Sequence, residues 1–138
     1  MFNIRYSLKS DKPFWFTLDR HINEQEFDKK VRDKQGYIIC DGDRSIGILR
    51  YSLFWDNTPF VNLIELHRSC QGKGFGSQAM LHWEDEMQRV GYKFVMTSTQ
   101  ANETAQHFYR KLGYTDSGCL MLFNDPAEIF FVKYFTDV

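Results

Sequence analysis

Gln71-Gly72-Lys73-Gly74-Phe75-Gly76 is the stretch around which the rest of the chain is read, lying between a strand-like run, Phe60 to His67, and a helix-like run, Gly74 to Val90. Three glycines in such close succession let the backbone enter the left-handed region, bring it close to a ligand, and aim several N–H groups at one anion. The helix that follows adds the positive end of its dipole. The stretch is therefore expected to seat a phosphate-like group.

Working outward, the helix is amphipathic on a wheel of about 100° per residue. Phe75, Ala79, Met80, Trp83, Met87 and Val90 share one arc, while Ser77, Gln78, His82, Glu84, Asp85, Gln88 and Arg89 lie mostly opposite. Glu86 falls inside the apolar arc and Leu81 outside it, and Gly91 sits where a helix-ending glycine belongs. Lys93 to Thr99 then reads as a strand. Strand, glycine turn, helix and strand make a βαβ unit, with parallel strands and a right-handed crossover. Beyond it, Asn102 is placed to cap a second helix in which Ala105, Phe108, Tyr109 and Leu112 recur at helical spacing, ended by Gly113. Thr115 to Phe123 and Glu128 to Phe135 are two further strands around the turn Asn124-Asp125-Pro126-Ala127.

Towards the N-terminus, Phe2, Ile4, Tyr6 and Leu8 alternate with polar residues, the pattern of a half-buried strand. Phe14-Trp15-Phe16 with Leu18 leans towards helix. Asn23 with Glu26 forms a capping-box pair, and Ile22 and Phe27 are spaced as a staple, which predicts a helix from about Glu24 to Lys34 stopped by Gly36. Asp41-Gly42-Asp43-Arg44 separates two apolar runs as a hairpin turn, and Asp56-Asn57-Thr58-Pro59 leads into the strand before the glycine turn. The sum is an α/β chain with a mixed, mostly antiparallel sheet of six to seven strands flanked by helices.

Composition bounds the function. At 138 residues, with 43% hydrophobic and 25% charged, the chain is the size of one folded domain, 1–138, with one core expected. A net charge of −1 without blocks of like charge calls for neither nucleic acid nor an anionic membrane. Three unevenly spaced cysteines, Cys40, Cys70 and Cys119, support neither a disulfide framework nor a metal site, and a reducing cytoplasm fits them best. No apolar run has the length of a membrane span or signal segment.

Spacing separates the candidate ligands of the glycine turn. A Walker A loop needs Ser or Thr directly after its lysine, and Lys73 is followed by Gly74. A dinucleotide fingerprint needs Gly-x-Gly-x-x-Gly at the first strand of a parallel sheet, whereas this is Gly-x-Gly-x-Gly after several antiparallel strands. What remains is Gln-x-x-Gly-x-Gly at Gln71, Gly74 and Gly76, followed by Asn102 and then by Phe108-Tyr109-x-Lys111-Leu112-Gly113-Tyr114. This pairing resembles the GNAT superfamily of acetyl-CoA-dependent N-acetyltransferases, over the whole chain in element order and specifically over Leu66 to Tyr114. Two positions depart from the common pattern: residue 68, often Pro, is Arg68, and residue 70, often aromatic, is Cys70.

The resemblance implies acetyl-CoA as co-substrate, with the coenzyme held by Leu66, His67, Gln71, Gly72, Lys73, Gly74, Phe75, Gly76, Ser77, Asn102 and Tyr109. The N–H groups of the turn would take the pyrophosphate and Lys73 would add charge. Asn102 and Tyr109 would approach the pantetheine arm and the thioester sulfur, and a backbone N–H at Leu66 would polarise the thioester carbonyl. Acetyl transfer also needs a neutral amine, and an alkylamine of pKa about 10.4 is mostly charged at neutral pH, so a base is required. Glu65 is the first candidate and His67 the second. Tyr109 is the candidate proton donor to the departing thiolate. Against these stand bland alternatives: Tyr109 as a buried structural tyrosine, Glu65 as a solvated strand residue. The acceptor is expected to be a primary amine of a small molecule or peptide, with no metal, no nucleic acid and no membrane, and the resemblance leaves room for a homodimer. The competing class is a non-catalytic acyl-CoA-binding sensor or regulatory module, and a nucleotide-binding α/β domain comes third.

Overall fold

A computed structural model describes residues 1–135. In chain order the elements are β1 (Phe2–Tyr6), α1 (Lys12–Leu18), α2 (Glu24–Arg32), β2 (Gly36–Asp41), β3 (Arg44–Phe54), β4 (Thr58–Leu66), α3 (Phe75–Val90), β5 (Phe94–Gln100), α4 (Ala105–Lys111), β6 (Thr115–Leu120) and β7 (Glu128–Tyr134). The seven strands form one mixed sheet in the order β1-β2-β3-β4-β5-β7-β6. No described helix is long and apolar enough to cross a membrane. By contacts the chain divides into two compact units, Met1–Ser52 with Asn62–Trp83, and Leu53–Val61 with the chain from Glu84 onward.

The first unit is built on the β1–β2–β3 meander. β1 pairs antiparallel with β2, Ile4 opposite Ile39, and β2 with β3, Ile38 opposite Ile48. The expected Asp-Gly turn closes the second hairpin, with Gly42 at φ +61°. β1 stops at Tyr6, earlier than its alternation predicts, because Ser7 turns inward and Leu8 leaves the sheet to stand 55% exposed. Trp15 of α1 and Phe27 of α2 pack on Ile38, Cys40 and Ile48, with Phe14, Phe16, Leu18 and Ile22 around them. Each fully buried aliphatic or aromatic side chain of this kind stabilises the fold by about 1.5–3 kcal/mol. At the start of α2 the Asn23 side-chain oxygen accepts from the Glu26 N–H at 2.9 Å, as the capping pattern requires. The Glu26 carboxylate is held by Lys29 at 3.1 Å. The end of α2 differs from expectation: Lys34 itself takes the left-handed conformation, φ +55°, and Gly36 opens β2 instead of stopping the helix.

In the second unit β4 and β5 run parallel, Phe60 opposite Met96 and Val61 opposite Thr97, as the βαβ reading requires. The Thr97 hydroxyl donates to the Val61 carbonyl at 3.1 Å. β7 pairs antiparallel with both β5 and β6, so Phe131 faces Thr97 on one side and Asp116 on the other. β6 ends at Leu120, short of the predicted Phe123, and all its residues are exposed; it is the edge strand beside β7. Helix α4 starts at Ala105 with Thr104 as its cap residue, so Asn102 is not the cap; it lies in the preceding turn, where the Gln106 side chain donates to the carbonyls of Ala101 and Glu103.

Helix α3 follows its wheel at Ala79, Met80, Trp83 and Met87, all buried, and departs from it at two positions. Glu84, placed on the polar face, is buried: its carboxylate accepts from Tyr114 Oη at 2.9 Å and from Lys133 Nζ at 2.7 Å. Val90, placed on the apolar arc, is 67% exposed at the helix end. Burial, then the neighbouring Glu84 charge and its hydrogen bond, push the Tyr114 phenol far above its usual range, so it remains a donor to Glu84.

Candidate functional site

The turn after β4 is assembled locally. His67 begins a 3-10 turn over Arg68–Cys70, its Nδ1 accepting from the Ser69 N–H at 3.2 Å. The Gln71 side chain reaches back to donate to the Leu66 carbonyl at 3.2 Å. Gly72 and Gly74 then take φ of +76° and +89°, conformations costly for any residue with a Cβ. A Cβ at Gly72 would meet nothing within 4 Å, and one at Gly74 only the Gln78 side chain at 4.0 Å. The space over the turn is thus open. Phe75, Gly76 and Ser77 form the first turn of α3, whose N–H groups have no carbonyl of their own helix to reach. Open space, left-handed glycines and the first-turn N–H groups at the positive end of a sixteen-residue helix fit a pyrophosphate.

The strand leading into this turn is positioned from β3. The His67 N–H donates to the Ile46 carbonyl at 2.7 Å. Because successive peptide groups of a strand point to opposite edges, the Leu66 N–H is directed away from β3. β3 comes very close here, for a Cβ on Gly47 would stand 2.9 Å from the Glu65 carbonyl oxygen and would collide with the Leu66 side chain.

A cavity of about 630 Å³ opens beside the same strand end. It is lined by Leu63, Glu65 and Leu66 of β4, by His67, Arg68 and Gln71 of the turn, by Thr17 and Leu18 at the end of α1, and by Arg20 and His21 between α1 and α2. Four predicted site residues, Glu65, Leu66, His67 and Gln71, are therefore brought to one cavity. The α1–α2 segment is held from below by Asp19, 1% exposed, which accepts from Arg50 Nε at 2.8 Å, Trp15 Nε1 at 3.0 Å and the His21 N–H at 3.0 Å. Burial by itself would raise the Asp19 carboxyl, but the hydrogen bonds from Arg50, His21 and Trp15 together with the Arg50 charge outweigh it and hold the group below the usual carboxylate range.

Asn102 and Tyr109 belong to the second unit. Asn102 is exposed, and Tyr109 is 6% exposed with its ring against Phe108, Tyr114 and Phe131. Arg20, His21 and Arg68 are cavity residues that motif reading did not assign to a site. For Arg20 and His21 the signal in the sequence is a polar break, Asp19-Arg20-His21, between an aromatic patch and a helix cap, and for Arg68 it is the departure from the common pattern before the glycine turn.

A mixed sheet with a parallel β4–α3–β5 unit and left-handed glycines at Gly72 and Gly74 before α3 defines an α/β protein whose glycine turn has the shape of an anion seat. The chain belongs to the acetyltransferase (GNAT) family, whose model matches residues 2–114. No curated protein sequence matches it significantly. Among solved structures it is similar to a GNAT-family acetyltransferase from Bacillus cereus, at 20% identity and a TM-score of 0.78, covering 97% of each chain. It is similar also to Ard1 from Thermoplasma volcanium, at 12% identity and a TM-score of 0.84 over 96% of this chain and 97% of that one. An acetyltransferase from Bacillus subtilis solved in complex with CoA shares 16% identity and a TM-score of 0.76 over 98% and 99%. At these identities the likeness is one of fold.

Proposed function

We propose that the chain, acting over 1–138 as one domain in the cytoplasm, transfers acetyl from acetyl-CoA directly to a primary amine of a small molecule or peptide. The observation that carries this is the meeting of Glu65, Leu66 and Gln71 in one cavity beside the glycine turn, in a member of the acetyltransferase family. The N–H groups from Gly72 to Ser77, with Lys73, hold the pyrophosphate at the start of α3. Leu66 offers its N–H, turned away from β3, to the charge that develops on the thioester oxygen. Glu65, on the cavity wall, takes the proton from the incoming ammonium, directly or through one water. Tyr109 returns a proton to the departing thiolate, and Asn102 binds the pantetheine arm. The acetyl-CoA brings an activated acyl group with a good leaving thiol. Each residue's task is to orient it or to move a proton.

Release of free thiol from acetyl-CoA in the presence of an amine panel tests this. Glu65→Gln and Tyr109→Phe should each lower kcat by about 10²-fold or more with little change in acetyl-CoA affinity. An unchanged rate removes that residue from the mechanism. A second reading, an acyl-CoA-binding sensor, is favoured by one observation, the packing of Tyr109 among three aromatic rings as a structural residue would be. Tight acetyl-CoA binding without thiol release on any amine would decide for the sensor.

A further inference from the structure

We propose that the acceptor is a small amine carrying an acidic group, a carboxylate or a phosphate monoester, and that Arg20 and Arg68 hold that group in the cavity while Glu65 faces its amine. This rests on the acetyltransferase reading above for the role of Glu65, but not for the anion grip.

The arginines of the chain differ in how their charge is used. Arg5, Arg32, Arg50, Arg89 and Arg110 each reach a carboxylate within 3.0 Å. Arg20, Arg44 and Arg68 make no ion pair among the described residues, and of these Arg20 and Arg68 line the same cavity. They come from separate elements, Arg20 from the segment after α1 and Arg68 from the 3-10 turn after β4, so no local helical spacing brings them together. The titratable lining is Arg20, His21, Glu65, His67 and Arg68, two permanent cations against one carboxylate.

Two arginines lining one concavity raise its potential and repel a polycation, which disfavours polyamines and aminoglycosides. The planar fork of a guanidinium matches a carboxylate or phosphate with paired hydrogen bonds. Glu65 supplies the opposite sign for the ammonium, so the lining complements a zwitterion. The cavity, about 630 Å³, has the capacity of an ordinary small-ligand site. Arg20 is also carried on an anchored support, because Asp19 before it and the N–H of His21 after it are tied into the buried Arg50 network. A partly fixed arginine loses less freedom on binding than one on a loose loop.

The test uses matched acceptors with the full chain: α-amino acids against their amides, and 2-aminoethyl phosphate against ethanolamine. Thiol release gives kcat/KM, and calorimetric titration of the CoA-saturated protein gives binding independent of turnover. The amide of an amino acid keeps more of its amine neutral at pH 7, so intrinsic reactivity favours the amide, and a preference for the acid must come from recognition. An acid-over-neutral ratio of about ten- to a hundredfold is expected. Arg20→Gln and Arg68→Gln should each shrink it, while Arg20→Lys retains part of it, at unchanged melting temperature. The carboxylate and phosphate pairs tell the two anions apart by which shows the larger ratio.

Turnover of acids and neutral amines at equal rates overturns the proposal and leaves the acetyltransferase reading standing. Preferential acid binding without turnover keeps the anion grip and removes the transferase. An Arg68→Gln variant that loses acetyl-CoA affinity but keeps the full acid preference reassigns Arg68 to the coenzyme and sinks the two-arginine grip.

Discussion

Asp19 concentrates more on one side chain than any residue the motifs single out. It is a buried carboxylate bonded to a guanidinium, an indole N–H and a backbone N–H, and it stands between the core at Trp15 and the cavity at Arg20 and His21. Asp19→Asn would leave the Arg50 guanidinium, 8% exposed, without its counter-charge, at a cost of about 3–5 kcal/mol in denaturant unfolding. The pH dependence has a definite sign. Since the folded carboxyl lies below its ordinary value, its contribution is complete above pH about 4 and is lost as pH falls through the folded value. The stability gap between wild type and Asp19→Asn should therefore close progressively in acid. A gap constant from pH 7 to pH 2 would show that the charge of Asp19 does not matter.

At the scale of elements, what could be read from the sequence divides by distance along the chain. The Asn23 cap of α2, the hairpin at Gly42 and the glycine turn rest on partners within about a turn of one another, and each appears in the structure as local chemistry dictates. Periodicity places Glu84 on the polar face of α3, because its partners, Tyr114 and Lys133, lie 30 and 49 residues away and leave no local signal. Arg20 escaped assignment for the same reason, since nothing local links it to β4. Gly47 is the element-scale counterpart: it is not in the lining of the cavity beside β4, yet its missing side chain lets β3 close on the end of that strand. Gly47→Ala should displace Glu65 and Leu66 together, lowering kcat about tenfold to a hundredfold and costing about 1–3 kcal/mol of stability. An alanine variant with wild-type kcat would show that β4 tolerates the shift.

Across the whole molecule the strands are unequally protected. β5 and β7 are paired on both edges, whereas β1 and β6 each have one free edge, and β6 carries a register shift between Asp116 and Gly118. Such a bulge on an edge strand discourages pairing with another chain. Amide hydrogen exchange should find β7 among the slowest segments and the outward-facing amides of β6 among the fastest, and equal protection of the two would contradict the strand order. Phe131, fully buried at the centre of β7, should cost about 3–5 kcal/mol on truncation to alanine.

The place of β7 also bears on how the protein is made. It follows every other strand in the chain but lies between β5 and β6, so β5 waits with one side unoccupied while about thirty residues more are translated. A released chain cut short in the turn between β6 and β7 would leave two strand edges that only the missing segment covers, and such a chain is a natural client for a chaperone.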